Sequence, residues 1–416
     1  MTVPPSHAHH CRACGAGLVD SFVDLGLSPV SNAFVAERDL DRGEMYYPLH
    51  AMVCRNCWLV QLTEVLRADT HFHDDYVYFS SYSSSWLVHA ERYVADMVAR
   101  FALDRASQVI EIASNDGYLL QYFVKRQIPC LGVEPTASTA RAAEARGVPT
   151  LQTFFDAQTA NELARSGRKA DLLLGNNVLA HVPDINGFVA AMPILLADEG
   201  VITLEFPHLL RLITGQQFDT IYHEHYFYLS LTALLPVFAQ AGLRIFDVET
   251  LPTHGGSLRI YGCHAGARHE ETAAVHAMLD HEVSAGLTDP ATYHAFAERV
   301  RTLKRDLLAF LVDAKRNGKR IVGYGAAAKG NTLFNYCGIG RDFVDYVVDR
   351  NPAKQGKYLP GSRIPVRPPE FVMQDKPDCL LILPWNIKDE IVADMAGIRD
   401  WGGQFVVPIP AVTVLR

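Results

Sequence analysis

Two short stretches carry residues able to do chemistry. Between positions 218 and 228 the chain reads Phe218-Asp219-Thr220-Ile221-Tyr222-His223-Glu224-His225-Tyr226-Phe227-Tyr228. Two histidines, a carboxylate and three tyrosines fall within seven of those residues, a set that is costly to bury without partners. Imidazole is the side chain whose charge changes near neutral pH, which points to acid–base chemistry. Two other readings stay open. His223 and His225 could form an H-x-H metal pair on one face of an extended segment, although no third ligand suggests itself nearby. The cluster could also be a hydrogen-bonded piece of core. The second stretch is split: Cys11-Arg12-Ala13-Cys14 and Cys54-Arg55-Asn56-Cys57. Each pair can reach one ion from a single turn, and four thiolates suit a closed tetrahedral Zn²⁺ site that holds structure rather than catalyses. In a reducing compartment metal explains such pairs better than disulfides do. The other four cysteines, Cys130, Cys263, Cys337 and Cys379, lie in or near apolar runs and read as buried thiols.

The elements that must position these groups begin with Val109-Ile110-Glu111-Ile112-Ala113-Ser114-Asn115-Asp116-Gly117-Tyr118-Leu119-Leu120. A β-branched run, a turn and a resumed apolar pattern read as strand, tight turn and helix start, the opening of a nucleotide-binding βαβ unit. Pro129–Val133 is a second strand ending in an acid, Glu134, about twenty residues on, where a carboxylate can accept from both ribose hydroxyls. Ala170–Leu174 runs as a third strand into Gly175-Asn176-Asn177-Val178-Leu179-Ala180-His181, and Gly200–Phe206 is a fourth. Ala113, Asn115 and Gly117 stand where a G-x-G-x-G turn would place glycines, and Glu111 is an acid closing the first strand. That acid resembles the S-adenosylmethionine (SAM) methyltransferases, whose cofactor carries an amino group and no pyrophosphate.

Further along, Leu231–Gly242 reads as a helix, and Thr253-His254-Gly255-Gly256 as a loop into the last strand of this unit. Residues 266–315 are charged and helix-rich. Lys319-Arg320-Ile321-Val322-Gly323-Tyr324-Gly325-Ala326-Ala327-Ala328-Lys329 then opens a second nucleotide-type unit. Gly323 and Gly325 are expected to let the backbone approach an anion, with the helix start and Lys329 stabilising a phosphate. Asp349 closes its second strand. The segment Phe72–Trp86, with three tyrosines and five serines, reads either as a solvated loop or as a lid over a polyhydroxylated ligand.

The chain has 416 residues, 49% of them hydrophobic and 20% charged, ordinary for a globular protein and enough for two or three domains, each with its own core. A net charge of −8 argues against a nucleic-acid or anionic-membrane partner. No apolar run is long enough to span a bilayer. Met1–His10 lacks a signal pattern, so a cytoplasmic protein is expected, with His7, His9 and His10 in a solvated terminus.

Assembled, these features resemble the SAM-dependent NDP-sugar C-3-methyltransferases of deoxysugar (antibiotic sugar) biosynthesis. The resemblance covers essentially the whole chain: the Cys11/Cys14/Cys54/Cys57 knuckles, 28–34 (SPVSNAF), 75–82 (DYVYFSSY), 111–117, Tyr222–His225 and Gly323–Gly330. It implies an α/β protein with a zinc-binding domain (1–70), a class I SAM-methyltransferase Rossmann-like domain (71–265) and a second Rossmann-like domain holding the sugar nucleotide (266–416). It implies SAM and structural Zn²⁺ as cofactors and a dTDP-linked 4-keto-deoxysugar as methyl acceptor. SAM falls to Glu111, Ala113, Ser114, Asn115, Gly117, Tyr118, Glu134, Phe155, Asn176 and Asn177. The sugar nucleotide falls to Asn32, Ser80, Gly325, Lys329, Asn331 and Asp349. Carbon methylation needs a base to remove the proton beside the ketone and a group to hold the enolate oxygen. His225 is the expected base, with Tyr222 and Tyr76 on the enolate oxygen. Glu224 orients the histidine or a sugar substituent, His181 is a second acid–base or positioning group, and His223 packs away from the site. An O- or N-methyltransferase on a sugar or other small molecule could use the same fold. A zinc scaffold with two degenerate nucleotide folds would bind no SAM. An NAD-dependent oxidoreductase is disfavoured because no full G-x-G-x-x-G follows Val322. With no coiled-coil stripe, a monomer is expected.

Overall fold

The computed structural model describes residues 9–64 and 79–415. Its first unit is an antiparallel meander, β1 (Asp20–Ser28), β2 (Tyr47–Val53) and β3 (Val60–Leu62). Both cysteine pairs sit in the same kind of turn, closed by Gly15 N–H to the Cys11 carbonyl and by Trp58 N–H to the Cys54 carbonyl, each 2.8 Å. Each turn needs a left-handed residue. Gly15 supplies it at φ 77°, whereas Trp58 adopts φ 61° and is held there by stacking on Tyr293.

A helix, α1 (Ser84–Phe101), leads into the middle unit. Its Ser83 cap accepts from Trp86 N–H, and the spacing of Trp86, Ala90, Tyr93, Val94 and Met97 gives it one buried face. There follow β4 (Val109–Ile112), α2 (Gln121–Lys125), β5 (Cys130–Val133), α3 (Ala137–Ala145), β6 (Thr150–Leu151), α4 (Ala157–Arg165), β7 (Ala170–Asn176), α5 (Ile185–Leu195), β8 (Leu196–Pro207), α6 (Leu209–Thr214), β9 (Phe227–Tyr228), α7 (Leu231–Gln240), β10 (Leu243–Leu251) and β11 (Ser257–His264). Seven strands form one sheet in the order β10-β11-β8-β7-β4-β5-β6, with β4 to β8 parallel and β10 and β11 antiparallel. Strand order reverses beside β4, which opens a crevice at the carboxyl ends of β4 and β7.

Two helices, α8 (Ala273–Ser284) and α9 (Pro290–Arg316), bridge to the last unit. Capped by Asp289 with Pro290 in its first turn, α9 runs 27 residues, about 40 Å. The last unit comprises β12 (Ile321–Tyr324), α10 (Ala328–Cys337), β13 (Val347–Val348), β14 (Val366–Arg367), α11 (Phe371–Asp375), β15 (Cys379–Ile382), α12 (Lys388–Asp394), β16 (Gln404–Val407) and β17 (Thr413–Leu415). Its six-stranded sheet, β14-β13-β12-β15-β16-β17, is parallel except for β17. The protein is thus α/β with the two Rossmann-like units expected.

The apolar cores do not follow the expectation of one per unit. Phe22, Leu49 and Val60 of the first sheet share a single core with α9 and the C-terminal sheet, and Phe22 stacks on Phe296 at 4.5 Å. The zinc knuckles instead join the core of the middle unit. Ends of the chain more than 250 residues apart are therefore packed together, and two reciprocal 2.9 Å backbone bonds between Val35 and Tyr358 seal the contact.

Candidate active site

The histidine-rich segment is held from three sides. β9, directly after it, is the fourth strand of the N-terminal sheet, pairing with β3 at Val60 and Gln61. Tyr226 N–H donates to the Ala180 carbonyl at 2.7 Å, which ties the segment to the strand end that carries His181. The Thr332 hydroxyl of α10 donates to the Ile221 carbonyl at 3.1 Å. Within this frame His225 sits with its ring 4.7 Å from that of His181, nearly perpendicular. Its Nδ1 lies 2.9 Å from the Thr220 carbonyl and its Nε2 2.8 Å from the Tyr222 hydroxyl. A carbonyl only accepts, so Nδ1 carries the proton and Nε2 presents a lone pair to the phenol. Burial, reinforced by His181, holds the His225 pKa well below its ordinary value, so the ring is neutral. His223 turns the other way: its Nε2 meets the Pro48 carbonyl at 3.2 Å and its ring packs edge-on to Tyr47. The turn between them, closed by His225 N–H to the Tyr222 carbonyl at 2.9 Å, fits acid–base chemistry at His225 and leaves the two histidines no shared metal.

Glu224 does not orient His225. Its Oε1 accepts from Asn32 Nδ2 at 2.6 Å, so an N-terminal asparagine and a middle-unit carboxylate meet in the cleft, with Lys354 of the C-terminal unit nearby. Burial pushes the Glu224 pKa up to about 7, against the pull of Asn32 and Lys354. A carboxyl with a raised pKa takes up a proton on folding between its ordinary 4.5 and 7, so its contribution to stability is present below the lower value and is lost as pH rises through the upper. The loss amounts to about 3 kcal/mol. Glu224→Gln should therefore flatten the fall in denaturation free energy between pH 5 and pH 8. An unchanged slope in urea titrations at the two pH values would assign that dependence elsewhere.

The cofactor turn has the expected backbone. Ala113, Asn115 and Gly117, at φ 57°, 49° and 73°, all adopt the left-handed conformation of a glycine-rich turn, two of them without being glycine. Glu134 Oε2 accepts from Asn115 N–H and its Oε1 from Thr136 N–H, each at 2.9 Å, which fixes the acid at the crevice. Glu111 is 1% exposed, with Tyr118 as a side-chain donor, and burial holds its pKa well above the carboxylate range. The Ser114 hydroxyl is buried without a partner. A buried acid with acceptor capacity to spare, beside an unpartnered hydroxyl, fits a cationic donor such as the SAM ammonium. Tyr118 stacks on Trp86 and lies 3.4 Å from Asn176 Nδ2, and Phe155 packs edge-on to Phe188.

Other expected residues fall as follows. Tyr76 and the proposed lid up to residue 78 lie outside the described residues. Ser80 binds the cofactor turn, its N–H donating to Asn115 Oδ1 at 2.9 Å. Asp349 accepts from Asn351 N–H of its own turn and from Ala326 N–H of the turn after β12. Gly323 and Gly325 do not open the backbone to a ligand as expected. A Cβ at Gly323 would meet Val347 at 2.7 Å, and one at Gly325, where φ is 92°, would meet Pro384 at 2.4 Å. Close packing against the protein itself explains both. Asn331 is buried with neither side-chain atom bonded. Lys329 is half-buried at the start of α10, its Nζ 3.0 Å from Asn386 Oδ1 and 4.6 Å above the Trp385 ring. Two site residues were missed. His254, at φ 53°, bonds its Nε2 to the Asn177 amide at 2.8 Å, itself at φ 54°. Asp219 accepts from Trp385 Nε1–H at 2.7 Å. Asp219 was visible within the 218–228 stretch, whereas a lone histidine before two glycines carries no spacing signal.

The four knuckle sulfurs all lie within 4.8 Å of one another, with Cys11–Cys57 and Cys14–Cys54 at 3.5 Å. Tetrahedral Zn²⁺ with bonds of about 2.3 Å needs edges of roughly 3.8 Å, so the set fits zinc. Gln61 Nε2 donates to Cys11 Sγ, and Arg12 reaches across to the Tyr226 carbonyl and the Phe227 ring.

Three family models match in succession: a zinc binding domain (11–72), a methyltransferase domain (86–248) and a C-methyltransferase C-terminal domain (252–410). The C-methyltransferase NovU of Streptomyces niveus is 38% identical over 97% of this chain and 96% of its own. The chain belongs to the C-methyltransferase family. It is a SAM-dependent C-methyltransferase with a structural zinc site. Solved structures resembling part of it include the magnesium protoporphyrin IX methyltransferase ChlM of Synechocystis (14% identity, 42% of this chain and 78% of that one, TM-score 0.33). Another is YcgJ of Bacillus subtilis (13% identity, 42% and 97%, TM-score 0.33). Among the described residues no helix of this C-methyltransferase is long and apolar enough to cross a membrane.

Proposed function

We propose that this C-methyltransferase methylates C-3 of a dTDP-linked 4-keto-deoxysugar through an enolate. The observation that supports it best is the His225 tautomer, fixed by the Thr220 carbonyl so that Nε2 can only accept. A neutral, desolvated imidazole whose Nε2 takes the Tyr222 O–H proton, as the phenol oxygen takes the one from carbon, is a base for removal of a proton beside a ketone. SAM supplies an electrophilic methyl group when bound. The proton leaving C-3 passes to the Tyr222–His225 pair and ends on Nε2. The C–H electron pair becomes the C3–C4 double bond, and the carbonyl π pair moves to oxygen. Asn32 and Glu224 offer donor and acceptor to the sugar's hydroxyl or amino substituents. Glu111, Glu134 and the 113–117 turn hold the cofactor on the far side of the crevice.

Incubation of enzyme, SAM and a dTDP-4-keto-deoxysugar in D₂O tests the reading. A product heavier by one methyl at C-3, with deuterium washed into recovered substrate at that carbon, is expected. Methylation at oxygen or nitrogen without such exchange would replace it with the O- or N-methyltransferase alternative.

A further inference from the structure

Among the described residues the base is accounted for but the group that holds the enolate oxygen is not; Tyr76, expected there, lies outside them. Tyr222 directs its O–H at His225 and so cannot donate it elsewhere. Two lysines of the C-terminal unit reach the cleft among the described residues. Lys354 is engaged, its Nζ donating to the Ala326 carbonyl at 2.9 Å and lying 3.7 Å from Asp349. Lys329 is not neutralised: among the described residues its Nζ has Asn386 and the Trp385 face as neighbours and no carboxylate within 4 Å. Asp219, the acid whose charge acts on Lys329, is turned to Trp385 through Oδ2. Trp385, the ring beneath Lys329, bonds Asp219 and packs against Gly255, the residue after His254, which puts Lys329 on the imidazole side of the cleft. The anchor is firm, since α10 is pinned four residues before His225 through Thr332 and Ile221.

We propose that Lys329 is a further catalytic residue, its ammonium binding the oxygen on which the enolate charge collects. This rests on the ketosugar reading above. A cation held among protein atoms without a contacting anion gains more from an oxyanion than from the neutral ketone, so the interaction strengthens as the reaction proceeds. No proton need move to the oxygen. When the C-3 carbon attacks, the enolate pair forms the C–CH₃ bond, the C4–O π bond returns, and the S–CH₃ pair leaves with sulfur. Lys329 is then again beside a neutral carbonyl.

The test is exchange of the C-3 proton in D₂O with S-adenosylhomocysteine in the cofactor site, for the wild type, Lys329→Met and Lys329→Arg. Binding of dTDP alone and the SAM-driven kcat and KM are measured alongside. Exchange and kcat should fall about 10²–10³-fold in Lys329→Met, with KM and dTDP affinity moving less than about threefold and Lys329→Arg recovering part of the rate. Wild-type exchange in Lys329→Met overturns the proposal. So does a tenfold loss of dTDP affinity with exchange intact at saturating substrate, which would make Lys329 a diphosphate clamp. If the wild type itself exchanges nothing, the ketosugar reading falls and takes this one with it.

Discussion

His225→Ala is expected to lower methyl transfer by about 10²–10⁴-fold while leaving the SAM dissociation constant within about twofold of wild type. The separation follows from geometry. His225 is fixed by Thr220 and Tyr222 on the segment after α6, whereas the SAM-binding groups lie on the turn after β4 and at the end of β5. Deuterium exchange at C-3 should disappear with the methylation. Tyr222→Phe is expected to fall in the same direction but less far, because it removes the relay and spares the lone pair. Single-turnover rates with saturating SAM measure both. A His225→Ala enzyme retaining a tenth or more of wild-type turnover would take the base away from this residue.

Removing zinc is expected to stop turnover although no knuckle residue faces the reacting atoms. Four thiolates on Zn²⁺ contribute on the order of 10–16 kcal/mol, comparable to the whole stability of a domain. The knuckles deliver that stability to the active segment: Arg12 clasps Tyr226 and Phe227, Asn186 binds the Arg12 and Ala13 carbonyls, and β3 carries β9. Loss of methyl transfer in proportion to chelator-released zinc is therefore expected, more than about tenfold at full release. The SAM dissociation constant should change less than about threefold, since the hydrogen bonds that fix the 111–117 turn run to Glu134 and Ser80 and to no knuckle residue. Cys57→Ser is expected to behave like the stripped protein. If zinc leaves and turnover persists, the sheet that β9 completes is not what positions His225.

How far these features could be read from the sequence depends on the reach of the interactions that make them. Spacing put His223 and His225 on one face of an extended segment, and the structure parts them because the chain turns there, His225 N–H bonding the Tyr222 carbonyl; Cys-x-x-Cys spacing sufficed for the metal turns. The Ala113, Asn115 and Gly117 positions were legible because a turn's dihedrals are local. The role of Glu224 was only half visible: a carboxylate next to a histidine suggests a pair, but its partner Asn32 is nearly two hundred residues away. Gly325 misled for a related reason, because its close neighbour Pro384 belongs to a distant loop. His254 was invisible since its meaning comes from Asn177 and Trp86 meeting it.

The joint packing of Phe22, Leu49 and Val60 with Phe296 and the C-terminal sheet bears on attempts to change which acceptor is methylated. Exchanging only the segment beyond residue 265 between relatives would strip apolar surface from β1 and leave α9 facing a foreign partner. A chimera that transplants residues 20–62 together with 287–409 keeps that packing, provided the middle-unit side chains in the same core, Leu209, Leu210, Leu212, Ile213, Phe218, Ile221 and Tyr228, are matched to it.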